Sequence, residues 1–281
     1  MGIKARAESA AAMKRPAIVA DGGGRVSVPG ADHAPAVSRA IAIMRLLADA
    51  AEPLSLNVIA KSLGLIPSSC LHILRALVAE EMVAFDPAAK LYALDAGVLT
   101  LARGLLRQGD FAQRVQGALD AIAKQFGVTT IAVRLIGLEH MVVIAICRSE
   151  LKVRLHVDIG SRFPALISAI GRCIAAFGGH PKAEIRKAFA RLRWDRPPTF
   201  KTWSDEVAAT KVNGIGIDRG QYIHGITIVA TPVFDDAGAV THCLVAVGLS
   251  DQLPSTRGEA IGAALKQASA ALSTLRGAIT R

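Results

Sequence analysis

The amino-acid sequence predicts an α+β protein of two domains, an N-terminal winged helix-turn-helix and a C-terminal domain with a largely antiparallel sheet, joined by a helical linker. Three observations predict this class. The chain has 281 residues, more than a single hydrophobic core of the usual size serves. Residues 54–94 have the pattern of helix, short turn, helix and hairpin. From residue 129 onward, alternating apolar runs typical of strands are interspersed with helical periods.

The chain opens with residues 1–35, which are rich in Ala, Gly and basic residues and show no sustained apolar period. This composition predicts a disordered tail. Ser38 is the predicted N-cap of a helix that ends near residue 50. The apolar stripe of that helix consists of Val37, Ile41, Met44 and Ala48, thickened by Ala40, Ile43 and Leu47.

Residues 56–63 form the first helix of the predicted helix-turn-helix. Its buried face consists of residues at helical spacing, Leu56, Ile59, Ala60 and Leu63. Ser55 is a suitable N-cap, and Gly64 suits the left-handed conformation that ends a helix. Pro67 is predicted to begin the second helix, which extends to about residue 80.

The second helix has one apolar and one polar face. The predicted core face contains Cys70 or Leu71, Leu74, Leu77 and Val78. The opposite stripe contains Ser68, His72, Arg75 and Ala79, with Ser69 beside it. Short polar and cationic side chains at a helix N-terminus allow the helix to enter a DNA major groove. An ordinary helical bundle is the alternative, but it needs neither this turn nor the hairpin that follows.

The hairpin pairs residues 82–85 with residues 91–94, and residues 86–90 supply its turn. Lys90 lies near the tip, where a wing contacts the phosphate backbone of DNA. The next two helices, up to Gln108 and then from Phe111 to Phe126, form the predicted linker. The apolar stripe of the second helix predicts either dimer contacts or packing onto its own domain.

The C-terminal domain mixes strands and helices. A hairpin is predicted over residues 130–148, followed by a half-exposed strand over 151–157. Helices are predicted over residues 166–177, 181–192, 204–212 and 256–275, and strands over 214–218, 225–231 and 239–249. The predicted domains are therefore a tail (1–35), a winged helix-turn-helix (36–96), a helical linker (97–127) and an α+β domain (128–281).

The formal net charge of +10 suggests an acidic partner such as nucleic acid, but its distribution weakens that argument. Residues 1–100 contain 10 Lys and Arg against 9 Asp and Glu, whereas residues 101–281 contain 23 against 14. Much of the excess lies in Lys182, Arg186, Lys187, Arg191, Arg193, Arg196 and Lys201. These side chains form either a solvated face or a surface for an acidic partner or flanking DNA.

No motif predicts an enzyme. Gly214, Gly216 and Gly220 do not make a GxGxxG loop, and Gly-x-Ser-x-Gly and His-Glu-x-x-His are absent from the sequence. The four cysteines show no CxxC pairing and are expected to be reduced core residues of a cytoplasmic protein. No apolar run is long enough for a membrane helix, so we expect no membrane partner. No cofactor or metal is predicted, although scattered histidines leave a metal site assembled in three dimensions open.

From about residue 37 onward, the sequence resembles IclR-type bacterial transcriptional regulators. The N-terminal similarity lies in residues 37–43, 64–69 and 90–94, which look like the opening helix, the recognition helix and the wing. In the second domain, residues 169–172 resemble an Ala-x-Gly-Lys box and residues 214–218 a Gly-Tyr-x-x-Asp element. Residues 229–234 resemble an Ala-Ala-Pro-Val strand. The order of these motifs makes the resemblance specific.

The resemblance implies a GAF-like effector domain and a homodimer or tetramer on palindromic operator DNA. The chain is thus expected to be a DNA-binding transcriptional regulator that a small metabolite controls. The expected DNA-binding residues are Arg39, Ser68, Ser69, His72, Arg75 and Lys90. The expected effector-binding residues are Ala169, Gly171, Asp218, Ile228, Val245 and Val247. The alternatives are a metabolite-binding enzyme and a sensor without a DNA-binding role.

Several residues depart from the family pattern. The Lys of the second-domain box is Arg172, and an acidic position after Asp218 is Gln221. His72 stands where the family often has Arg. Relatives that bind small oxoacids use Cys and Ser where this chain has Ile228, Val245 and Val247. If these side chains line a pocket rather than a plain sheet core, the effector is a carboxylate with an apolar or aromatic part.

Overall fold

The computed structural model describes residues 34–108, 110–148 and 157–276. These residues divide into two compact units, one that ends at Phe111 and one that begins at Ala112. The division falls within the segment that the sequence assigns to the linker. The predicted basic tail and the predicted strand over residues 151–157 lie outside the described residues, except for Ala34, Pro35 and Val157.

The N-terminal unit contains helices and a three-stranded antiparallel sheet of strand order β1-β3-β2. Its elements are α1 (Pro35–Asp49), β1 (Leu54–Ser55), α2 (Leu56–Leu63), α3 (Pro67–Ala79), β2 (Val83–Asp86), β3 (Leu91–Leu94) and α4 (Gly97–Gln108). This is the predicted winged helix-turn-helix, with β1 as a strand that the sequence analysis did not predict. β1 pairs Leu54 with Tyr92 and Ser55 with Leu91.

The helix-turn-helix forms where its local signals lie. Gly64 adopts the left-handed conformation, with φ 61° and ψ 34°, and ends α2. Pro67 occupies the first turn of α3, where its missing N–H costs no hydrogen bond. Ile43, Ile59 and Leu74 are fully buried in the shared core of the three helices. The chain bends by 113° between α2 and α3, and both helices pack on the same aliphatic core.

Two expectations for α1 are wrong. The helix begins at Pro35, with Ala34 as N-cap, rather than after Ser38. The reason is that a proline at this position presets the helical φ angle. The buried residues are Ile43 and Leu47, whereas Val37 remains 61% exposed and Ile41 37% exposed. The apolar stripe that faces the core is therefore rotated from the predicted one.

The wing is a regular hairpin. β2 and β3 pair Val83 with Leu94 and Asp86 with Leu91. Asp86 Oδ1 accepts hydrogen bonds from the backbone N–H of Ala88 at 2.8 Å and of Ala89 at 3.1 Å, which stabilises the turn. The turn between β2 and β3 is therefore stabilised by Asp86, and Lys90 is its last residue.

The C-terminal unit is built on a six-stranded antiparallel sheet of order β6-β5-β4-β9-β8-β7. Its elements are α5 (Asp110–Phe126), β4 (Thr129–Ile136), β5 (His140–Cys147), β6 (Arg162–Pro164), α6 (Ser168–Phe177), α7 (Lys182–Phe189), α8 (Phe200–Asn213), β7 (Gly216–Arg219), β8 (Ile226–Phe234), β9 (Val240–Leu249) and α9 (Ser255–Arg276). The predicted α+β class and antiparallel sheet are confirmed, and β6 is an additional strand.

Helices cover both faces of this sheet. One face forms a core with α6, α7 and α8, in which Ile185 and Trp203 are buried. On the other face, Ser269 of α9 donates a hydrogen bond to the Pro232 carbonyl at 2.6 Å. Thr130 donates to the Leu119 carbonyl of α5 at 2.9 Å. Leu119 is fully buried, so part of the linker's apolar stripe packs onto its own domain, which was one of the two predicted alternatives.

The start of α8 differs from the prediction. The helix begins at Phe200 rather than near residue 204, because the Thr199 hydroxyl accepts a hydrogen bond from the Thr202 N–H at 3.1 Å and caps it. Among the described helices, no single one has the length and apolar character to cross a membrane. The bent pair of α2 and α3 passes that test of length and composition only when taken together.

Candidate functional site

The exposed face of α3 carries the predicted DNA-binding residues of the N-terminal unit. Ser68, His72 and Arg75 are exposed at successive helical turns, and Ser69 is half-buried beside them. On the opposite face, Cys70 and Leu74 are fully buried, joined by Ile73. The core therefore fixes the helix with its polar strip directed outward. Duplex DNA can accommodate such a strip in the major groove.

The other two predicted DNA-binding residues lie on separate elements. Lys90 is exposed at the end of the wing, where its backbone adopts φ 58°. Arg39 is exposed on α1. No described contact joins either residue to the α3 strip, so the structure presents three cationic or polar features on one unit rather than one continuous cluster.

The predicted effector-binding residues of the sheet meet on one face. Strand pairing places Asp218 of β7 opposite Ile228 of β8, and Ile228 opposite Val247 of β9. Val245 pairs with Ala230 on the same face. All of these residues are buried, and the three aliphatic ones pack in the core that also contains Trp203. The predicted shared orientation of the two valines is confirmed. Both are buried in the sheet core, and their role as the wall of a pocket stays a prediction.

Ala169 and Gly171 lie on α6, which packs tightly beneath this face. A Cβ atom on Gly171 would lie 1.9 Å from the Leu166 carbonyl oxygen, so the backbone approach requires glycine. The first residue of α6, Ser168, adopts φ 56°, an uncommon conformation for a residue with a side chain. Its carbonyl oxygen accepts a hydrogen bond from Arg172 Nη1 at 2.6 Å.

Arg172 is the centre of a polar network between α6, α8 and β7. Its side chain is 1% exposed, and its Nη2 and Nε atoms donate to Glu206 Oε2 at 2.6 and 2.9 Å. Nη2 also donates to Gln221 Oε1, while Gln221 Nε2 donates to Glu206 Oε1 at 3.0 Å. Arg172 and Gln221, two of the positions that depart from the family pattern, are therefore in direct contact. The Gln221 amide accepts a hydrogen bond from Arg172 and donates one to Glu206.

Asp218 is fully buried beside this network. Its Oδ1 atom accepts hydrogen bonds from the N–H groups of Gln221 at 2.9 Å and Tyr222 at 3.3 Å. Oδ2 lies 3.6 Å from Arg172 Nη1 and accepts no hydrogen bond from the described residues. Burial raises the pKa of Asp218, and Arg172 and the two N–H groups counteract only part of that rise. Oδ2 is thus a buried polar atom that a protonated carboxyl could use as a donor.

Two participants were not predicted from the sequence. Glu206 accepts from Arg172, and the buried Trp203 has an indole N–H without a hydrogen-bond acceptor among the described residues. Both lie on α8, whose predicted start at residue 204 excluded Trp203. The spacing of Phe200, Trp203 and Val207, together with Thr199 as N-cap, was the available signal.

Comparison with known proteins places both parts of the chain in one family. Residues 36–87 match the IclR helix-turn-helix domain, and residues 104–274 match the bacterial transcriptional regulator IclR C-terminal domain. The glycerol operon regulatory protein of Streptomyces griseus is 28% identical over 203 residues, covering 71% of this chain and 78% of that protein. The HTH-type transcriptional regulator XynR of Escherichia coli is 26% identical over 248 residues, covering 86% and 96%.

Solved structures have the same fold. An IclR transcriptional regulator from Alicyclobacillus acidocaldarius superimposes with a TM-score of 0.74 at 24% identity, covering 86% of this chain and 98% of that chain. An IclR homologue from Microbacterium hydrocarbonoxydans, complexed with 4-hydroxybenzoate, gives a TM-score of 0.70 at 16% identity, covering 85% and 98%. Because both family domains match in order and one spans residues 104–274, the chain belongs to the IclR family of DNA-binding bacterial transcriptional regulators.

Proposed function

We propose that this regulator reads operator DNA through the strip Ser68, Ser69, His72 and Arg75 of α3, with Lys90 and Arg39 contacting phosphates. The observation that carries the proposal is the exposure of the α3 strip above a fully buried aliphatic face. Arg and His side chains in the groove donate hydrogen bonds to base edges, whereas the wing lysine neutralises phosphate. The proposed domain division is that of the sequence analysis, with residues 36–96 as the DNA-binding domain. Operator DNA would place the protein in the bacterial cytoplasm.

The test begins with the full-length protein and a random duplex library, from which bound sequences are selected. Arg75→Ala is expected to weaken binding to the selected duplex by about 1–3 kcal/mol and to relax preference at one base pair. Lys124→Ala, which removes an exposed cation from α5, is the control and is expected to leave binding unchanged. Equal binding by Arg75→Ala and wild type, at unchanged circular dichroism, would contradict the proposed strip.

Self-association is also proposed, as a homodimer or tetramer. Val37 of α1 is 61% exposed, and Leu99 and Leu101 of α4 are 70% and 67% exposed. Contiguous patches of exposed apolar side chains mark contact sites between protein chains, and the proposal is that these residues contribute to such patches. Two recognition helices per dimer match palindromic half-sites. Sedimentation equilibrium is expected to show at least two chains per particle, and Val37→Glu with Leu99→Glu to shift the protein toward monomers.

We further propose that the C-terminal domain binds a small carboxylate with an apolar or aromatic part. Ile228, Val245 and Val247 provide an aliphatic wall, Ala169 of α6 packs in the same core, and Gly171 lies on the same helix. Asp218 Oδ2 is buried and accepts no hydrogen bond from the described residues, so in the protonated carboxyl it can donate one to the carboxylate. The complex of the Microbacterium homologue with 4-hydroxybenzoate makes that compound a reasonable first probe.

Two features of the ligand are proposed to be required, a carboxylate and an apolar part. Isothermal titration with 4-hydroxybenzoate, cyclohexanecarboxylate, acetate and 4-hydroxybenzyl alcohol tests each of them separately. We expect the cyclic carboxylates to bind, acetate to bind weakly because it lacks apolar surface, and the alcohol to bind weakly because it lacks the carboxylate. Val247→Asp is expected to abolish binding and Val212→Asp, on an exposed position of α8, to preserve it. Equal binding of acetate and the cyclic acids would contradict the apolar wall.

No catalytic role is part of this proposal. Among the described residues, no three His, Cys, Asp or Glu side chains form a potential metal site. Cys70, Cys173 and Cys243 are buried, and burial raises the pKa of the Cys70 thiol, which disfavours a nucleophilic thiolate. Incubation of the protein with any effector identified above, followed by mass spectrometry, is expected to recover the compound unchanged.

A further inference from the structure

The segment that contains α7 and the turn after it is strongly basic. Within residues 182–201, seven side chains are Lys or Arg, whereas Glu184 and Asp195 are the only acidic ones, which gives a net charge of +5. Six of these cations lie on α7 and the following turn, Lys182, Arg186, Lys187, Arg191, Arg193 and Arg196. All six are exposed, and we call them the α7 basic surface.

Most of this charge is not neutralised within the described part of the protein. Arg186 lies over the Phe200 ring at 4.4 Å, and Arg196 Nη2 lies 3.3 Å from His224 Nε2. Lys201 pairs with Asp205 at 3.1 Å and so does not belong to the surface. The remaining four cations, Lys182, Lys187, Arg191 and Arg193, pair with no acidic side chain of the described residues. They are available to an anionic partner.

The DNA-binding domain itself lacks an excess of positive charge. Residues 36–96 contain five Lys and Arg against six Asp and Glu, a net charge of −1. Phosphate neutralisation supplies nearly all of a protein's affinity for non-specific DNA and a large share of its affinity for a specific site. A domain with a charge of −1 supplies little of this long-range attraction. Positive charge outside this domain would therefore add to the attraction between the regulator and DNA.

The α7 basic surface is held in a fixed position. Ile185 is buried beneath α7, and the Phe189 ring packs 5.0 Å from the ring of Trp203. In the turn, the N–H of Arg196 donates to the Gln221 carbonyl at 2.9 Å, and the N–H of Asp195 donates to the Tyr222 carbonyl at 3.3 Å. The backbone that displays the cations is thus anchored to the body of the domain. A preorganised set of charges loses less entropy on binding than a flexible tail.

We propose that the α7 basic surface of the effector domain binds the phosphate backbone of DNA beyond the base pairs that α3 reads. The partner is duplex DNA, because a surface of exposed lysines and arginines complements regularly spaced phosphates and needs no matching apolar anchor. The contacts carry no sequence information and add equally to specific and non-specific binding. The inference rests on the proposed operator binding, but it concerns a different domain and a different set of atoms.

The test compares two variants of equal charge in the full-length protein. The surface variant carries Lys182→Gln, Lys187→Gln, Arg191→Gln and Arg193→Gln. The control variant carries Lys124→Gln, Arg134→Gln, Lys211→Gln and Arg219→Gln, which removes four exposed cations elsewhere in the same unit. Fluorescence anisotropy measures binding to a random-sequence 40-base-pair duplex and to the selected duplex, at a series of KCl concentrations.

We expect the surface variant to bind both duplexes more weakly, by on the order of tenfold or more, with the ratio of specific to non-specific affinity preserved. The slope of log K against log salt should become shallower by about 0.9 for each lost phosphate contact. The control variant should change affinity by less than about threefold, because the proposal assigns no phosphate contact to these four side chains and charges without such a contact are screened by salt.

Three outcomes would overturn the inference. An unchanged salt slope in the surface variant would show that these cations do not contact phosphate. An equal loss in both variants would assign the effect to net charge alone. Loss of binding to polyglutamate, with DNA binding unchanged, would assign the surface to an acidic protein. In each case wild-type binding to the selected duplex persists, whereas failure of the proposed operator binding would remove that wild-type signal itself.

Discussion

Arg172 donates two hydrogen bonds to a single carboxylate oxygen of Glu206, from Nη2 at 2.6 Å and from Nε at 2.9 Å. The guanidinium is buried, and its remaining Nη1 atom donates to the Ser168 carbonyl. One side chain thus joins α6 to α8 and holds the positive-φ residue at the start of α6. The same guanidinium lies beside the buried carboxylate of Asp218. Removal of Arg172 therefore leaves more than one polar group without its partner.

Replacing Arg172 with Met should destabilise the protein by about 3–5 kcal/mol, because Glu206, Gln221 and the Ser168 carbonyl would lose their buried cationic donor. Arg172→Lys should lie between this variant and wild type, since an ammonium group cannot reproduce the planar fork that reaches Ser168 and Glu206 together. Urea unfolding measures both changes. Arg219→Met, at an exposed arginine, is the control and should change stability by less than about 0.5 kcal/mol. A Met variant within 1 kcal/mol of wild type would contradict the account.

A second prediction compares two helical glycines. Gly171→Ala would bring a Cβ atom to 1.9 Å from the Leu166 carbonyl oxygen, so α6 and the segment that leads into it must move apart. We expect a loss of about 3 kcal/mol or more, at the upper end of overpacking effects. Gly117→Ala on α5 meets no atom within 4 Å and should stabilise the protein by about 0.5–1 kcal/mol, through higher helix propensity. Thermal unfolding distinguishes these opposite signs, and similar shifts in the two variants would refute the close approach at Gly171.

Some elements whose ends are determined by single residues were predicted correctly from the sequence. Gly64 and Pro67 define the turn between α2 and α3 in any context, and both act in the structure as expected. The two-residue strand Leu54–Ser55 is too short for a hydrophobic period, so only its pairing with β3 reveals it. The sequence does contain a local signal for the start of α1, namely Pro35. The prediction placed the start at Ser38 instead, because serine is a common N-cap residue.

The candidate effector site was predictable only in part, for a physical reason. Arg172 and Gln221 stood out as departures from the family pattern, but their partner Glu206 lies on another helix, 34 residues from Arg172. A pairing across that distance depends on how α8 packs beside α6, which no local period determines. The aliphatic face was predictable from strand alternation, because Val245 and Val247 lie two positions apart and so point to the same side of the strand.

The pH dependence of stability tests the environment of Asp218. Burial raises the pKa of this carboxyl in the folded protein above the ordinary value of 3.8. As pH rises above about 3.8, the unfolded chain loses the proton first while the folded protein retains it. The contribution of Asp218 to the free energy of unfolding therefore decreases as pH rises from about 3.8 to the raised pKa of the folded protein. Above that pKa the contribution no longer changes with pH.

The measurement is the difference in free energy of unfolding between wild type and Asp218→Asn, from urea titrations between pH 3.5 and 7.5. Other titrating groups cancel in this difference, so wild type should lose stability relative to the variant as pH rises. A difference that instead increases with pH would mean that attraction to Arg172 outweighs burial, and it would refute the predicted direction.

The last prediction separates stability from DNA binding at the wing. Lys90 adopts φ 58°, a conformation that glycine tolerates at no steric cost. Lys90→Gly relieves this backbone strain, but it also raises the conformational entropy of the unfolded chain. The two effects oppose each other, so stability should stay within about 1 kcal/mol of wild type. Binding to DNA should weaken for all sequences alike, and the salt slope should fall by about 1, because one phosphate contact is lost.

Lys90→Asn provides the matched variant, since asparagine also tolerates the left-handed conformation and carries no charge. Both variants should therefore show the same loss of DNA affinity despite different backbone freedom. A loss in Lys90→Gly alone would assign the effect to flexibility of the wing. Full affinity in both would mean that the wing does not contact phosphate through this residue, and DNA recognition would then depend on α3 without it.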